Sequence, residues 1–269
     1  MSNANVRSGT LNSRIVAISQ PTFLPWLGYF SLIDVCDDFV LLDDVAFSRQ
    51  SWQQRNQVRG PSGLQWVTIP VSTSKKMGQL ILETEINMAA DFPKKQVETL
   101  RQLYGKSRNW ETIGEFISAC LLDAANHKSI SVLNCSLISG ICHWLGIETR
   151  LHLASDLKSE MGRSEKLASI VQGFQAKTYL STPGSADYLL EEKESFDRRN
   201  LKVEIHRYEH PVYAQRFEPF MSHASIVDLI FSPATNPLEV IRSGQRSPIE
   251  ISSWKATNAH CDSSERATD

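Results

Sequence analysis

Asp43 and Asp44 stand side by side after the apolar run FVLL (39–42), and Arg49, Arg55 and Arg59 follow in SRQSWQQRNQVRG. Two adjacent carboxylates could accept a proton, hold a metal, or bind an amine or a ribose hydroxyl. Like charges this close raise at least one pKa, so burying both needs a cation nearby. The arginines offer one. Arg55 with Asn56 suits a carboxylate or phosphate, because a guanidinium presents bidentate donors. The same residues also fit a solvated loop whose ion pairs contribute little.

The second chemical signal is QPTFLPWLGYF, residues 20–30. Pro21 and Pro25 stiffen the turn and push the residues before them into extended conformations. Gly28 would let the backbone approach a ligand closely. A helix starting near Trp26 would aim free N–H groups at that spot, which suits a phosphate. Phe23 and Phe30 read as packing. Trp26 and Tyr29 are open between packing and lining a pocket, because each carries a polar atom that needs a partner when buried.

Weaker candidates follow. Lys75-Lys76 lies in a polar loop. Lys158, Arg163, Ser164 and Lys166 gather at a helix start, where an anion site and plain capping by Ser164 compete. STPGSADYL (181–189) is a second strand-to-helix turn, with Ser181 at its head, that could cradle a phosphate or sugar. HPVYAQRFEPF (210–220) offers His210, Tyr213 and Gln215 as pocket residues. A backbone-satisfied turn is the competing reading of His210. Asp228 reads as a residue that ties down a loop.

The elements that must position these groups alternate. Strands are expected at 15–19, 39–42, 65–71, 80–86, 148–153, 178–181 and 202–206. Helical stripes run through Trp110–Ala124, Leu133–Leu145 and Leu167–Phe174. This alternation predicts an α/β domain with a mainly parallel sheet, flanking helices and a helical insertion at about 90–146. The domain is expected over 14–232, between a disordered lead-in (1–13) and a mostly disordered tail (233–269). In such a sheet, ligands bind beyond the carboxyl ends of the strands, where both signals fall.

The 269 residues carry a formal net charge of -2, which gives no footprint for nucleic acid. No stretch is apolar for long enough to span a membrane, and none reads as a secretion signal. The five cysteines lack a CxxC pair, so reduced thiols, a cytoplasmic setting and no metal site are expected. GxxxxGK[ST], GxGxxG after the first strand, HExxH and GxSxG are all absent. Cys142-His143 does not read as a nucleophile pair, because adjacent helical residues diverge by about 100°.

QPTFLPWLGYF, LLDDVAFSRQSWQQRNQVRG, LQWVTIPV, GRSEKLASIVQGFQAKTYLSTPGSADYL, HPVYAQ and SIVDLIF, in this order over about 14–231, resemble the WbqC-like family of bacterial proteins. The resemblance implies a link to surface-polysaccharide and O-antigen gene clusters, and a suggested transfer of glycine or another acyl group to an amino sugar. Carried onto this chain, the positions implied are Gln20, Pro21, Pro25, Trp26, Gly28, Tyr29, Asp43, Asp44, Trp52, Arg55, Asn56, Tyr188, Tyr213 and Gln215. Thr182 replaces a glycine expected after YLS, and SPATNP replaces a glycine-containing turn after SIVDLIF. Trp26-Leu27-Gly28-Tyr29 also keeps the xxGx frame of the HxGH tetrad of nucleotidylyl-transferase-type folds, without either histidine.

The expectation is therefore a cytoplasmic transferase that forms an amide on a nucleotide-linked or phosphorylated amino sugar. Gln20, Trp26, Tyr29, Ser181, Tyr188, Tyr213 and Gln215 would shape the pocket and Gly28 would admit the phosphate. Asp43 or Asp44 would act as base, and Arg55 and Asn56 would orient the acyl or phosphate group. ATP and Mg²⁺ are expected if an acyl-adenylate forms; no redox cofactor is expected. The alternative is a non-catalytic ligand-binding or assembly protein of the same pathway.

Overall fold

The structure is a computed structural model, and it describes residues 14–72, 78–159, 162–233 and 236–254. The expected lead-in, the Lys75-Lys76 pair, the end of the tail with Cys261, and the middle of SPATNP lie outside these residues.

One six-stranded sheet organises the chain. Its strands are β1 (Ile15–Ser19), β2 (Asp38–Leu41), β7 (Arg150–Leu153), β8 (Thr178–Ser181), β9 (Lys202–Tyr208) and β10 (Gln245–Glu250). Their spatial order is β10-β9-β8-β1-β2-β7, and every pairing is parallel except β9 with β10. From the β7 edge, this is the 3-2-1-4-5-6 order of doubly wound sheets, with its switch point between β1 and β8.

Successive strand residues point to opposite faces, and the two faces carry separate cores. Ala17, Phe39, Leu41 and Leu180 face α1 (Leu27–Asp34), α4 (Ile130–Leu145), α8 (Ile226–Ile230) and α9 (Pro237–Ser243). Val16, Ile18, Val40, Tyr179 and Val203 face α5 (Arg163–Gly173), α6 (Ala186–Glu191) and α7 (Glu194–Asp197). At the amino end of β2, the fully buried Asp38 accepts from Arg14, Arg150 and His152. These donors hold its carboxyl well below the usual carboxylate range, against the opposing effect of burial.

Between β2 and β7 the chain makes a long excursion. A hairpin of β3 (Arg55–Gly60) and β4 (Gly63–Thr68) comes first, then a short pair of β5 (Val71–Ser72) and β6 (Glu85–Ile86). The expected insertion follows as α2 (Lys94–Tyr104), α3 (Glu115–His127) and α4. Ser129 caps α4 through the Val132 N–H at 3.3 Å. At its other end, Gly146 adopts φ 76° and the Ile147 N–H returns to the Cys142 carbonyl.

Several expectations need correction. The 80–86 strand shrinks to Glu85–Ile86, because Leu80 and Thr84 close turns instead. The strand expected at 65–71 divides into β4 and β5, and Arg55 of SRQSWQQRNQVRG opens β3, where cross-strand pairing overrides the polar composition that also fitted a solvated loop. Residues 236–254 fold instead of trailing away. Asn236 caps α9 at the Glu239 N–H, Pro237 occupies its first turn, and β10 closes the β9 edge. Burial of Ile241 and Ile251 and a bidentate Arg242–Asp34 pair fasten this segment.

Candidate functional site

The QPTFLP turn leaves β1 at the switch point, and its carbonyls are claimed from three directions. Asn134 on α4 donates to Pro21, and Asn56 on β3 donates to Phe23 and Leu24 at 3.1 and 2.9 Å. Ser225 donates to Leu24 at 2.7 Å, and the Ile226 N–H reaches the Pro25 carbonyl. The Phe23 N–H in turn donates to the Trp52 carbonyl. Gln20 accepts from Gln53 through its side chain and from the Tyr29 hydroxyl, at 3.0 Å, through its backbone. Burial raises the Tyr29 pKa well above the usual phenol value, so this hydroxyl stays a donor.

Trp26 precedes α1 and folds back over it. A β-carbon on Gly28 would lie 2.3 Å from the Trp26 ring. The glycine therefore makes room for an indole, not for a phosphate, and the expected phosphate seat at the start of α1 is covered. Around the indole stand Tyr208, edge-on at 5.5 Å, and two imidazoles, His210 at 6.1 Å and His223 at 5.3 Å.

Trp26 and His223 belong to the wall of a cavity of about 300 Å³ lined by Thr22, Pro25, Trp26, Tyr29, Trp52, Asn56 and His223. Its walls are mostly aromatic, so it suits a ring whose faces are apolar and whose edge is polar. His223 is exposed, sits at φ 63°, and shares a hydrogen bond with Ser222 through Nδ1. Behind it, His210 Nδ1 bonds the Pro211 carbonyl, which can only accept, so Nδ1 carries the proton and Nε2 the lone pair. Burial lowers the pKa of His210, and Nε2 has no partner among the described residues.

Trp26, Tyr29 and Asn56 line the cavity, Asn56 with its amide nitrogen spent on the Phe23 and Leu24 carbonyls, and Gln20 and Gly28 support its walls. Pro25 and Trp52, which the resemblance implied, line it as well, whereas the acids, Arg55 and the later candidates go elsewhere. The Asp43 carboxylate accepts from the Ser155 N–H and hydroxyl, tying the end of β2 to the turn after β7. Asp44 pairs with Lys166 of α5 at 2.5 Å. The two acids diverge, and no group of three or more His, Cys, Asp or Glu able to hold a metal occurs among the described residues. The pair therefore offers no shared seat for one cation.

Arg55 and Asn56 cannot grip one group together, because neighbouring strand residues face opposite sides. Asn56 turns into the fold, and Arg55 lies on the Trp66 ring at 4.3 Å. Ser181 donates to the Tyr179 hydroxyl, and Tyr188 lies under the Arg163 guanidinium. Tyr213 and Gln215 are buried and donate to Asp228, which also receives a longer bond from Tyr104. Asp228 is the centre of a loop-fastening network.

His223 and Trp66 are functional candidates that the sequence did not single out. A histidine between a serine and an alanine carries no spacing signal. Trp66 sits in an ordinary strand pattern, and only its exposure marks it.

Comparison with known proteins places the chain in a family. The WbqC-like protein family matches residues 20–239. A relative from Mycobacterium tuberculosis, uncharacterized protein Rv1507c, is 32% identical over 228 residues, covering 84% of this chain and 97% of its own length. No solved structure matches the chain.

Proposed function

This chain belongs to the WbqC-like protein family, and on that premise we propose that it is a transferase forming an amide on an amino sugar for surface-polysaccharide synthesis. The observation that carries the proposal is the aromatic cavity at the carboxyl edge of the sheet with an exposed imidazole on its wall. The sugar ring packs against Trp26 and Trp52, with its amine toward His223. The amine nitrogen attacks the carbonyl of an activated acyl donor, an adenylate or a thioester. A C–N bond forms, the C–O or C–S bond breaks with the electron pair leaving on oxygen or sulfur, and His223 takes the amine proton. His223 thereby replaces Asp43 and Asp44 in the base role. No helix among the described residues is long and apolar enough to cross a membrane. The free thiols Cys36, Cys120, Cys135 and Cys142 are consistent with work in the reducing cytoplasm.

A second reading, ligand binding without turnover, is favoured by the structural bonds that occupy Asp43 and Asp44. Mass spectrometry decides between them. Purified protein is incubated with nucleotide-linked or phosphorylated amino sugars, an amino acid and ATP–Mg, or with an acyl thioester. Amide product is expected, with His223→Gln lowering turnover about 100-fold, within the usual range for loss of a general base. Trp26→Ala should abolish saturation by the sugar. Sugar binding without amide in any combination establishes the second reading.

A further inference from the structure

Beside the cavity, Trp66 and Arg55 have no part in the acyl-transfer reading. Trp52, which lines the cavity, leans on Trp66 with centroids 5.6 Å apart and planes tilted by 34°. Both indoles stand open to solvent, Trp52 at 52% and Trp66 at 47% exposure. Large exposed aromatics at a cavity mouth are uncommon unless they receive something. The Arg55 guanidinium carbon lies over the Trp66 ring, 4.3 Å from its centroid. No carboxylate pairs with it among the described residues, and its Nε is buried without a hydrogen-bond partner.

The scaffold beneath is rigid. Arg55 and Trp66 are on the same face of the β3–β4 hairpin, where Arg55 opposes Thr68 and Gln57 opposes Trp66. The Trp52 carbonyl is held by the Phe23 N–H at 2.8 Å. At about 300 Å³, the cavity is at the lower end of ligand-site volumes, roughly 300–1,000 Å³, and holds one ring. A ligand with two rings must place the second outside, and Trp52 joins the cavity wall to the exposed Trp66.

We propose that Trp52, Trp66 and Arg55 form a nucleoside diphosphate subsite, with the base on the indoles and the diphosphate against the Arg55 guanidinium. Stacking on an aromatic face tolerates any base, and a planar guanidinium supplies the fork that a phosphoryl group matches. This subsite rests on the sugar-cavity reading through Trp52, which lines that cavity and leans on Trp66. The substrate class is then a nucleotide-linked sugar, not a free sugar phosphate.

The test uses the full-length protein and tryptophan fluorescence with calorimetry. The probes are UDP, dTDP, GDP and ADP, each compared with pyrophosphate and with glucosamine 1-phosphate. At least one nucleoside diphosphate should quench the fluorescence and bind tighter than pyrophosphate by tenfold or more. Trp66→Ala should weaken that binding about ten- to a hundredfold, the range typical of one lost base stack. Arg55→Ala should weaken it similarly and flatten its salt dependence, whereas Arg55→Lys should recover part of the loss. Both sites are partly exposed, so melting temperatures should stay near wild type. Trp26→Ala serves as the contrast, weakening nucleotide sugars but not the bare diphosphates.

The proposal is overturned if no diphosphate binds, if pyrophosphate binds as well as the best nucleotide, or if Trp66→Ala changes nothing. Nucleotide binding without amide formation leaves this subsite standing and removes only the transferase. Amide formation on glucosamine 1-phosphate that ignores Trp66→Ala does the reverse.

Discussion

At the scale of single residues, Gly28 shows how one position can be read correctly as special and wrongly as to why. The need for a missing side chain was visible in the sequence; the occupant of the space was not, because Trp26 reaches it only by folding back over its own helix. Gly28→Ala separates the two readings. Alanine gains up to about 1 kcal/mol of helix propensity over glycine, but the new methyl must displace the indole. Tyr208 and His210 crowd that ring, so its displacement reshapes the cavity wall. Stability should change by less than about 1 kcal/mol in thermal melts, while sugar affinity falls tenfold or more. A variant that binds normally would show that the indole has no part in recognition. Asp43, Asp44 and Arg55 were legible as clustered chemistry, but sequence adjacency does not reveal which way a carboxylate turns, and Ser155 and Lys166 lie more than a hundred residues away.

At the scale of elements, α1 and β9 meet through a buried polar contact, Ser31 Oγ with His206 Nε2 at 3.1 Å. Burial lowers the His206 pKa to about 4. The unfolded chain titrates near 6.5, so between these values it binds a proton that the folded state refuses. Stability therefore falls as pH drops from about 6.5 to 4, by roughly 2 kcal/mol at pH 5. Urea unfolding at pH 7 and pH 5 should show this loss, and His206→Gln should remove most of it. If the variant keeps the full slope, another group is responsible. The sequence made β9 plain through alternating valine and isoleucine. It hid β3, whose RNQVRG has too little apolar content to announce a strand and depends on its cross-strand partners.

At the scale of the whole molecule, the parallel core of the sheet was legible because each strand there is a short apolar run next to a well-marked helix. The final strand was not. Gln245–Glu250 has mostly exposed polar side chains and a proline, and it is a strand because β9 offers an open edge. Removal of residues 233–269 should uncover that edge and lose the buried Ile241 and Ile251. A cost of at least about 4 kcal/mol is expected from the two isoleucines alone. Size-exclusion chromatography should find the shortened chain aggregated, and circular dichroism should show a lower melting temperature. A monomer with unchanged stability would mean that α9 and β10 are dispensable.

Ser225 and Ile226 bond to Leu24, Pro25 and Gln57, so the pocket is stitched from stretches about two hundred residues apart. During synthesis at roughly 5–20 residues per second, the first stretch must wait for tens of seconds before its partner leaves the ribosome. A nascent chain halted short of Ser225 would carry every aromatic of the turn yet lack the fastening that shapes them. Ligand capture by stalled intermediates of increasing length should thus switch on abruptly, making binding a marker of the last stage of folding.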